Sequence, residues 1–214
     1  MRCKIVDRFL IAMSVVLFSC VTNIQAAQVN KTMLVGLGTS LTKNGGWLEE
    51  LAGDGQTCGG FKVLNAGGAG ENSDWGTTKV EELVVLKPDY LFIEFAANDA
   101  SLLHGVSHSK SVQNVSYIID KFRQESQSTK IVLLALNPMS GPKGWTRPRL
   151  NTFYDSHLAL ADEQNVRVLD VRPFWAELTS DQIKHFIPDG VHPTVEANKK
   201  ILVPNIRDFL LSIC

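Results

Sequence analysis

The chain is short of several features that would settle a function at once. It has only four cysteines in 214 residues, and two of them, Cys3 and Cys20, fall near the N-terminus. The other two, Cys58 and Cys214, permit one disulfide at most. No CxxC or HExxH spacing occurs, so the sequence proposes no metal centre and no bound cofactor. Neither charge sign predominates: 21 Lys and Arg stand against 22 Asp and Glu. A basic footprint for nucleic acid is therefore absent. There is no internal repeat, low-complexity tract or linker. Beyond the first thirty residues no apolar run is long enough to span a bilayer. A long apolar lid segment, of the kind a lipase needs, is missing too.

What is present begins with the N-terminus. Arg2, Lys4 and Arg8 precede an apolar stretch at residues 9–21, and Ile24-Gln25-Ala26-Ala27 offers small residues for cleavage. This pattern predicts a signal peptide over residues 1–26, followed by one domain over 27–214. Leu17-Phe18-Ser19-Cys20 also resembles a bacterial lipobox, which would make Cys20 a lipidated N-terminus and a membrane anchor. Either route leaves an exported protein, periplasmic or secreted, with no membrane span. Its length suits a single domain with a sizeable core.

Short apolar runs alternate with helical segments. Residues 33–37, 61–64, 89–95, 131–136 and 166–169 read as buried strands. Helices are expected over 45–52, 76–86, 110–128, 149–164 and 194–213, with Pro204 forcing a kink or restart in the last. Continuously apolar strands alternating with helices imply a parallel sheet covered on both faces. The expected fold is a three-layer α/β/α sandwich with a flavodoxin-like five-stranded parallel sheet, order 2-1-3-4-5.

Ligands of such sheets bind beyond the carboxyl ends of the strands. Gly38-Thr39-Ser40-Leu41 follows the first strand, and Asn65-Ala66-Gly67-Gly68-Ala69-Gly70 follows the second. Ala97-Asn98-Asp99 follows the third, and Asp189-Gly190-Val191-His192-Pro193 precedes the last helix. One rim thus gathers a hydroxyl, a glycine turn, an amide and an Asp/His pair, which is the set that acyl transfer needs. Ser40 is the candidate nucleophile, His192 its base, and Asp189 the group that orients and stabilises the imidazole. The backbone N–H groups of Ser40 and Gly70, with the Asn98 amide, are the candidate oxyanion donors. Each piece has a plainer reading: Ser40 as a helix N-cap, the glycines as a turn, Asn98-Asp99 as a cap, His192 as a surface residue.

Together these blocks resemble the SGNH (GDSL-like) hydrolase family over nearly the whole mature length. Gly38-Thr39-Ser40-Leu41 matches its GDSL block, Asn65-x-Gly67-x-x-Gly70 its glycine block, Ala97-Asn98-Asp99 its GxND block, and Asp189-x-x-His192-Pro193 its DxxHP block. The resemblance implies a tetrad of Ser40, Gly70, Asn98 and His192, with Asp189 as triad acid. Two departures stand out. Thr39 replaces the usual Asp, and Ala97 replaces a Gly, which adds a methyl near the oxyanion donors. An exported single-domain member suggests hydrolysis of short acyl groups, acetyl above all, on a carbohydrate or polysaccharide. The alternatives are a short-chain lipid or thioester esterase, and a non-catalytic glycan-binding relative. Asn72, Trp75, Asn137, Trp145 and Arg147 are the candidate substrate contacts; the tryptophans equally suit packing.

The same topology places Cys58, between the first helix and second strand, at the end of the sheet opposite the rim. The last helix starts at the rim near His192, so Cys214 ends on that far side too. Because the first and last helices pack on one face in the 2-1-3-4-5 order, a Cys58–Cys214 disulfide is expected.

Overall fold

The computed structural model describes residues 31–55 and 57–214. The leader, with its cleavage and lipidation alternatives, lies outside the described residues. Five strands form one sheet: β1 (Thr32–Gly38), β2 (Phe61–Gly67), β3 (Tyr90–Glu94), β4 (Lys130–Ala135) and β5 (Arg167–Asp170). Their order is β2-β1-β3-β4-β5 and every pairing is parallel, the flavodoxin-like arrangement expected from the sequence. The helices are α1 (Ser40–Lys43), α2 (Trp47–Gly53), α3 (Ser73–Val84), α4 (Ala96–Asp99), α5 (His108–Glu125), α6 (Gly141–Trp145), α7 (Leu150–Glu163), α8 (Arg172–Ala176), α9 (Ser180–Phe186), α10 (Val195–Ala197) and α11 (Val203–Leu211).

Successive strand residues point to opposite faces, and both faces are dry. Leu34 and Phe92 join Trp47, Leu48 and Leu51 of α2 and Ile206 and Leu210 of α11 in one cluster. Val35, Leu91 and Ile93 join Val80 of α3, Val115, Ile118 and Phe122 of α5 and Leu160 of α7 in the other. This double burial is why the strands read as unbroken apolar runs rather than as alternating ones.

Helix boundaries moved where caps act. α3 begins at Ser73 rather than 76, because the Asn72 side chain accepts from the Asp74 and Trp75 N–H groups. α5 begins at His108 because Ser107 caps it, accepting from Lys110 N. Neither cap forms part of the apolar stripe from which the helices were read. The last helix is interrupted, as Pro204 required, but over a full segment. α10 runs into a π-helical turn at Asn198–Leu202, and α11 restarts at Val203 with Pro204 in its first turn. Proline lacks the N–H that would bond four residues back, and a wide turn absorbs the defect. The short helices α4, α6, α8 and α9 were not foreseen, being too brief to show a period.

α11 packs on the same sheet face as α2. The structure pairs Cys58 with Cys214, their Cα atoms 5.8 Å apart across a sequence separation of 156. Closing a loop of that length stabilises by up to about 5 kcal/mol on the chain-entropy account. Among the described residues, no helix is long and apolar enough to cross a membrane.

Candidate active site

The site begins where β1 ends. Gly38 lies in register with Gly67 of β2 and Glu94 of β3. A Cβ on Gly38 would come within 2.6 Å of the Glu94 backbone carbonyl, so only glycine fits. Thr39, not Ser40, caps α1: its hydroxyl accepts from Leu41 N at 3.2 Å. Ser40 is the first residue of the helix, and its Oγ is free to meet His192 Nε2 at 2.8 Å.

Beneath this turn lies a group the sequence reading overlooked. Glu94 is buried and accepts from four donors: Thr39 N at 2.7 Å, Thr39 Oγ1 at 2.9 Å, Thr42 N at 3.2 Å and Thr42 Oγ1 at 2.8 Å. The nucleophile turn therefore hangs on a carboxyl group from the neighbouring strand, while Thr39 stands where the family usually has Asp. The available signal was one acid inside the apolar run YLFIEF of residues 90–95. Burial pushes the Glu94 carboxyl up to about 7 against the bonds from Thr42 and Thr39, which pull it down. The folded state thus holds a proton that the unfolded chain releases near 4.5. Its contribution to stability should fall as pH rises from about 4.5 to about 7, by roughly 3 kcal/mol in all. Glu94→Gln should remove that component, since the threonine hydroxyls can rotate to accept from an amide. Urea unfolding of both proteins at about pH 5 and about pH 8 tests it; equal losses of stability in the two would refute the assignment.

The base and acid sit on the turn after α9. Asp189 Oδ1 accepts the backbone N–H groups of Val191 at 2.9 Å and His192 at 2.7 Å. Asp189 Oδ2 accepts His192 Nδ1 and Lys143 Nζ, each at 2.7 Å. A proton on Nδ1 leaves Nε2 as the acceptor facing Ser40. Partial burial pushes the Asp189 carboxyl up, but the bonds from His192, Lys143 and Val191 outweigh it and hold it well below the usual carboxylate range. Asp189 is therefore an anion throughout the working pH range. The Lys143 contact was not legible: nothing near Lys143 in the sequence marks it.

The third component comes from the ends of β2 and β3. Gly70 has φ +82°, a conformation that side-chain-bearing residues rarely adopt. Asn98, on α4, donates through Nδ2 to Glu71 O at 2.7 Å and accepts through Oδ1 from Arg147 Nη2 at 3.1 Å. Arg147 also donates to Ala97 O at 2.6 Å and Lys143 O at 2.9 Å. A guanidinium only donates, so it holds the Asn98 oxygen outward and leaves the amide hydrogens for Glu71 and the cleft. Ala97, which carries the extra methyl, is buried and packs in the apolar core. Asp99 accepts from Ser73 N at 2.8 Å and from the Ser111 hydroxyl, tying α4 to α3 and α5; burial pushes its carboxyl up to about 6. Asn65 braces the opposite side, donating to Thr42 O at 3.2 Å and Lys43 O at 3.1 Å.

The five proposed substrate contacts divide. Asn72 is the α3 cap, and its Nδ2 binds His104 O at 2.8 Å. Trp75 packs against the α3/α5 core, with Lys79 Nζ 5.5 Å from its ring centre. Neither lines a cavity at Ser40, so both are corrected to structural roles. Asn137 is buried, donates to Pro138 O at 2.9 Å and Val191 O at 3.0 Å, and borders a cavity beside Ser40. Arg147 borders the cleft but is committed to Asn98 and Ala97. Trp145 is 74% exposed and lines an adjoining groove with Arg149, Asn151 and Thr152. Trp47 and Trp175 are core.

Two cavities share Ser40, Asn44 and His192. One, of about 470 Å³, runs toward Leu41, Leu136, Asn137, Asn198 and Leu202. The other, of about 1080 Å³, opens past Gly70, Asn98, Lys143 and Arg147.

A five-stranded parallel sheet with a Ser–His–Asp array at its carboxyl edge defines a protein of the α/β hydrolytic class. The profile of the GDSL-like Lipase/Acylhydrolase family matches residues 32–200, and the chain belongs to that family. Three solved structures share the fold. Axe2, an acetylxylan esterase from Geobacillus stearothermophilus, superposes with a TM-score of 0.71 at 18% identity, over 84% of this chain and 94% of that one. The lipase/acylhydrolase from Enterococcus faecalis gives 0.70 at 19% identity, over 85% and 96%. TesA gives 0.68 at 23% identity, over 86% and 100%. No curated protein matches the chain in sequence.

Proposed function

We propose that this family member is an exported serine esterase that removes short acyl groups, acetyl above all, from a carbohydrate or polysaccharide. The observation that carries the reading is the continuous array from Asp189 through His192 to Ser40, with 2.7 Å and 2.8 Å links. In the first step Ser40 Oγ attacks the ester carbonyl while His192 Nε2 takes its proton. The negative charge that develops on the carbonyl oxygen meets the N–H groups of Ser40 and Gly70 and the Asn98 amide, which share the open cavity. His192 then returns the proton to the leaving alcohol, and water repeats the sequence to free the acid. Export is supported by the leader-like N-terminus.

Support for a carbohydrate alcohol comes from the groove beside the cleft. An exposed Trp145 ring flanked by Arg149 and Asn151 offers a stacking face and hydrogen bonds to a sugar. A fold neighbour is named as an acetylxylan esterase. A short-chain lipid ester is the second reading, favoured by Leu102 and Leu103, each 69% exposed, the latter at the mouth of the cleft. A fluorophosphonate probe followed by peptide mapping tests the mechanism: the adduct should fall on Ser40. Adduct on Ser73 or Ser140 would refute it. An ester panel that includes acetylated polysaccharide decides the alcohol, and activity confined to lipid esters would replace the first reading by the second.

A further inference from the structure

We infer that the smaller cavity is the acyl pocket, that it takes short uncharged acyl chains, and that Leu202 of the π-helical turn sets its length limit. The inference rests on the esterase reading and adds the identity of the acyl side. A tetrahedral centre on Ser40 has three directions to fill besides Oγ. The oxyanion points to Gly70 and Asn98, in the larger cavity. A polymeric alcohol must leave toward open solvent, which that cavity also provides. The remaining direction leads into the smaller cavity, whose rim is shared by Ser40 and His192 and whose walls are Leu41, Leu136, Asn137, Asn198 and Leu202.

The lining specifies the ligand. Leu41, Leu136 and Leu202 are buried side chains that present apolar surface. The polar members are amides: Asn44 at the exposed rim, with Asn137 and Asn198 within. The Asn137 amide hydrogens already serve Pro138 O and Val191 O, and Asn198 Nδ2 serves Gly45 O at 2.7 Å. Among the described residues no lysine or arginine lines the cavity, so a succinyl-type carboxylate would be buried there without a lysine or arginine to pair it. Two of the walls, Asn198 and Leu202, come from the π turn just ahead of Pro204. Single wide turns of this kind recur at functional sites.

The test measures kcat/KM on p-nitrophenyl esters from acetyl to octanoyl, plus a succinyl ester, for the wild type, Leu202→Ala and Asn44→Trp. A methylene gained or lost in an apolar pocket changes discrimination by about 10–200-fold. Leu202→Ala should raise the hexanoyl-to-acetyl ratio at least tenfold. Asn44→Trp, at the exposed rim where the two cavities meet, should lower the butyryl-to-acetyl ratio by a similar factor; with the p-nitrophenol alcohol held fixed that ratio reads the acyl side, and the variant keeps the test alive if the core variant does not fold. The wild type should turn over succinyl at least tenfold more slowly than butyryl. Unchanged chain-length ratios in a folded variant, or changes seen only when the alcohol is varied, would overturn the pocket assignment while leaving the esterase intact. Failure of the wild type to cleave any ester would instead overturn the esterase reading, and the pocket with it.

Discussion

Ser40→Ala should lower kcat by about a millionfold while leaving the fold intact. The size follows from the way the array works as a unit. Without the hydroxyl, His192 has no proton to take, and the oxyanion donors can assist only direct attack by water. Stability should barely change, for a local reason. The helix cap here is Thr39, which bonds Leu41 N and Glu94, whereas the Ser40 hydroxyl bonds only His192. Kinetics on an activated acetyl ester, with thermal melts of both proteins, test this. Turnover within a hundredfold of wild type by a folded variant would remove Ser40 from the mechanism.

Asp189→Asn should lower kcat by about ten-thousandfold. Asp189 serves four donors: two backbone N–H groups on Oδ1, and His192 Nδ1 with Lys143 Nζ on Oδ2. An asparagine has one oxygen and one amide nitrogen. If the oxygen keeps the backbone pair, the amide confronts His192 and Lys143 as a donor facing donors. His192 then moves its proton to Nε2, the atom that must accept from Ser40. The loss belongs in kcat, because Asp189 lines neither of the two cavities at Ser40. A loss confined to KM, or of less than tenfold, would show that another group orients His192.

Much of this was visible in the sequence because the signals are local. Five apolar runs separated by helical stripes already implied the sheet and its order. The motifs announced themselves because each follows a strand or, for Asp189 and His192, precedes the last helix. Gly67, Gly68 and Gly70 read as a turn at a strand end; Gly67 closes β2 and the other two follow it, whereas Asn65 and Ala66, expected beyond the strand, lie within it. The first-turn caps escaped notice because Asn72 and Ser107 contribute no apolar residue to the helix they start. In the sequence Asn72 is a polar side chain near the site and so suits a substrate contact, yet an Asn just ahead of a helix is first of all a cap.

Ser40, Asp189 and His192 could be chosen from the sequence, since the chemistry of acyl transfer demands those residue types and the α/β pattern brings strand ends to one rim. The parallel sheet with two buried faces was likewise determined by the strands' own composition. What only the tertiary structure decided are the contacts between groups far apart in the chain that carry no periodicity. Glu94 lies 55 residues from Thr39, yet supports its turn. Lys143 reaches across 46 residues to Asp189, and Arg147 across 49 to Asn98. Which tryptophan stayed in solvent was also a packing outcome: Trp47 and Trp175 filled the core, Trp75 leaned on it, and Trp145 was left exposed on a five-residue helix. The physical reason is common to all of these. Burial and periodicity act over one or two turns of chain, whereas a hydrogen bond between distant loops exists only after the sheet has set the distance between them.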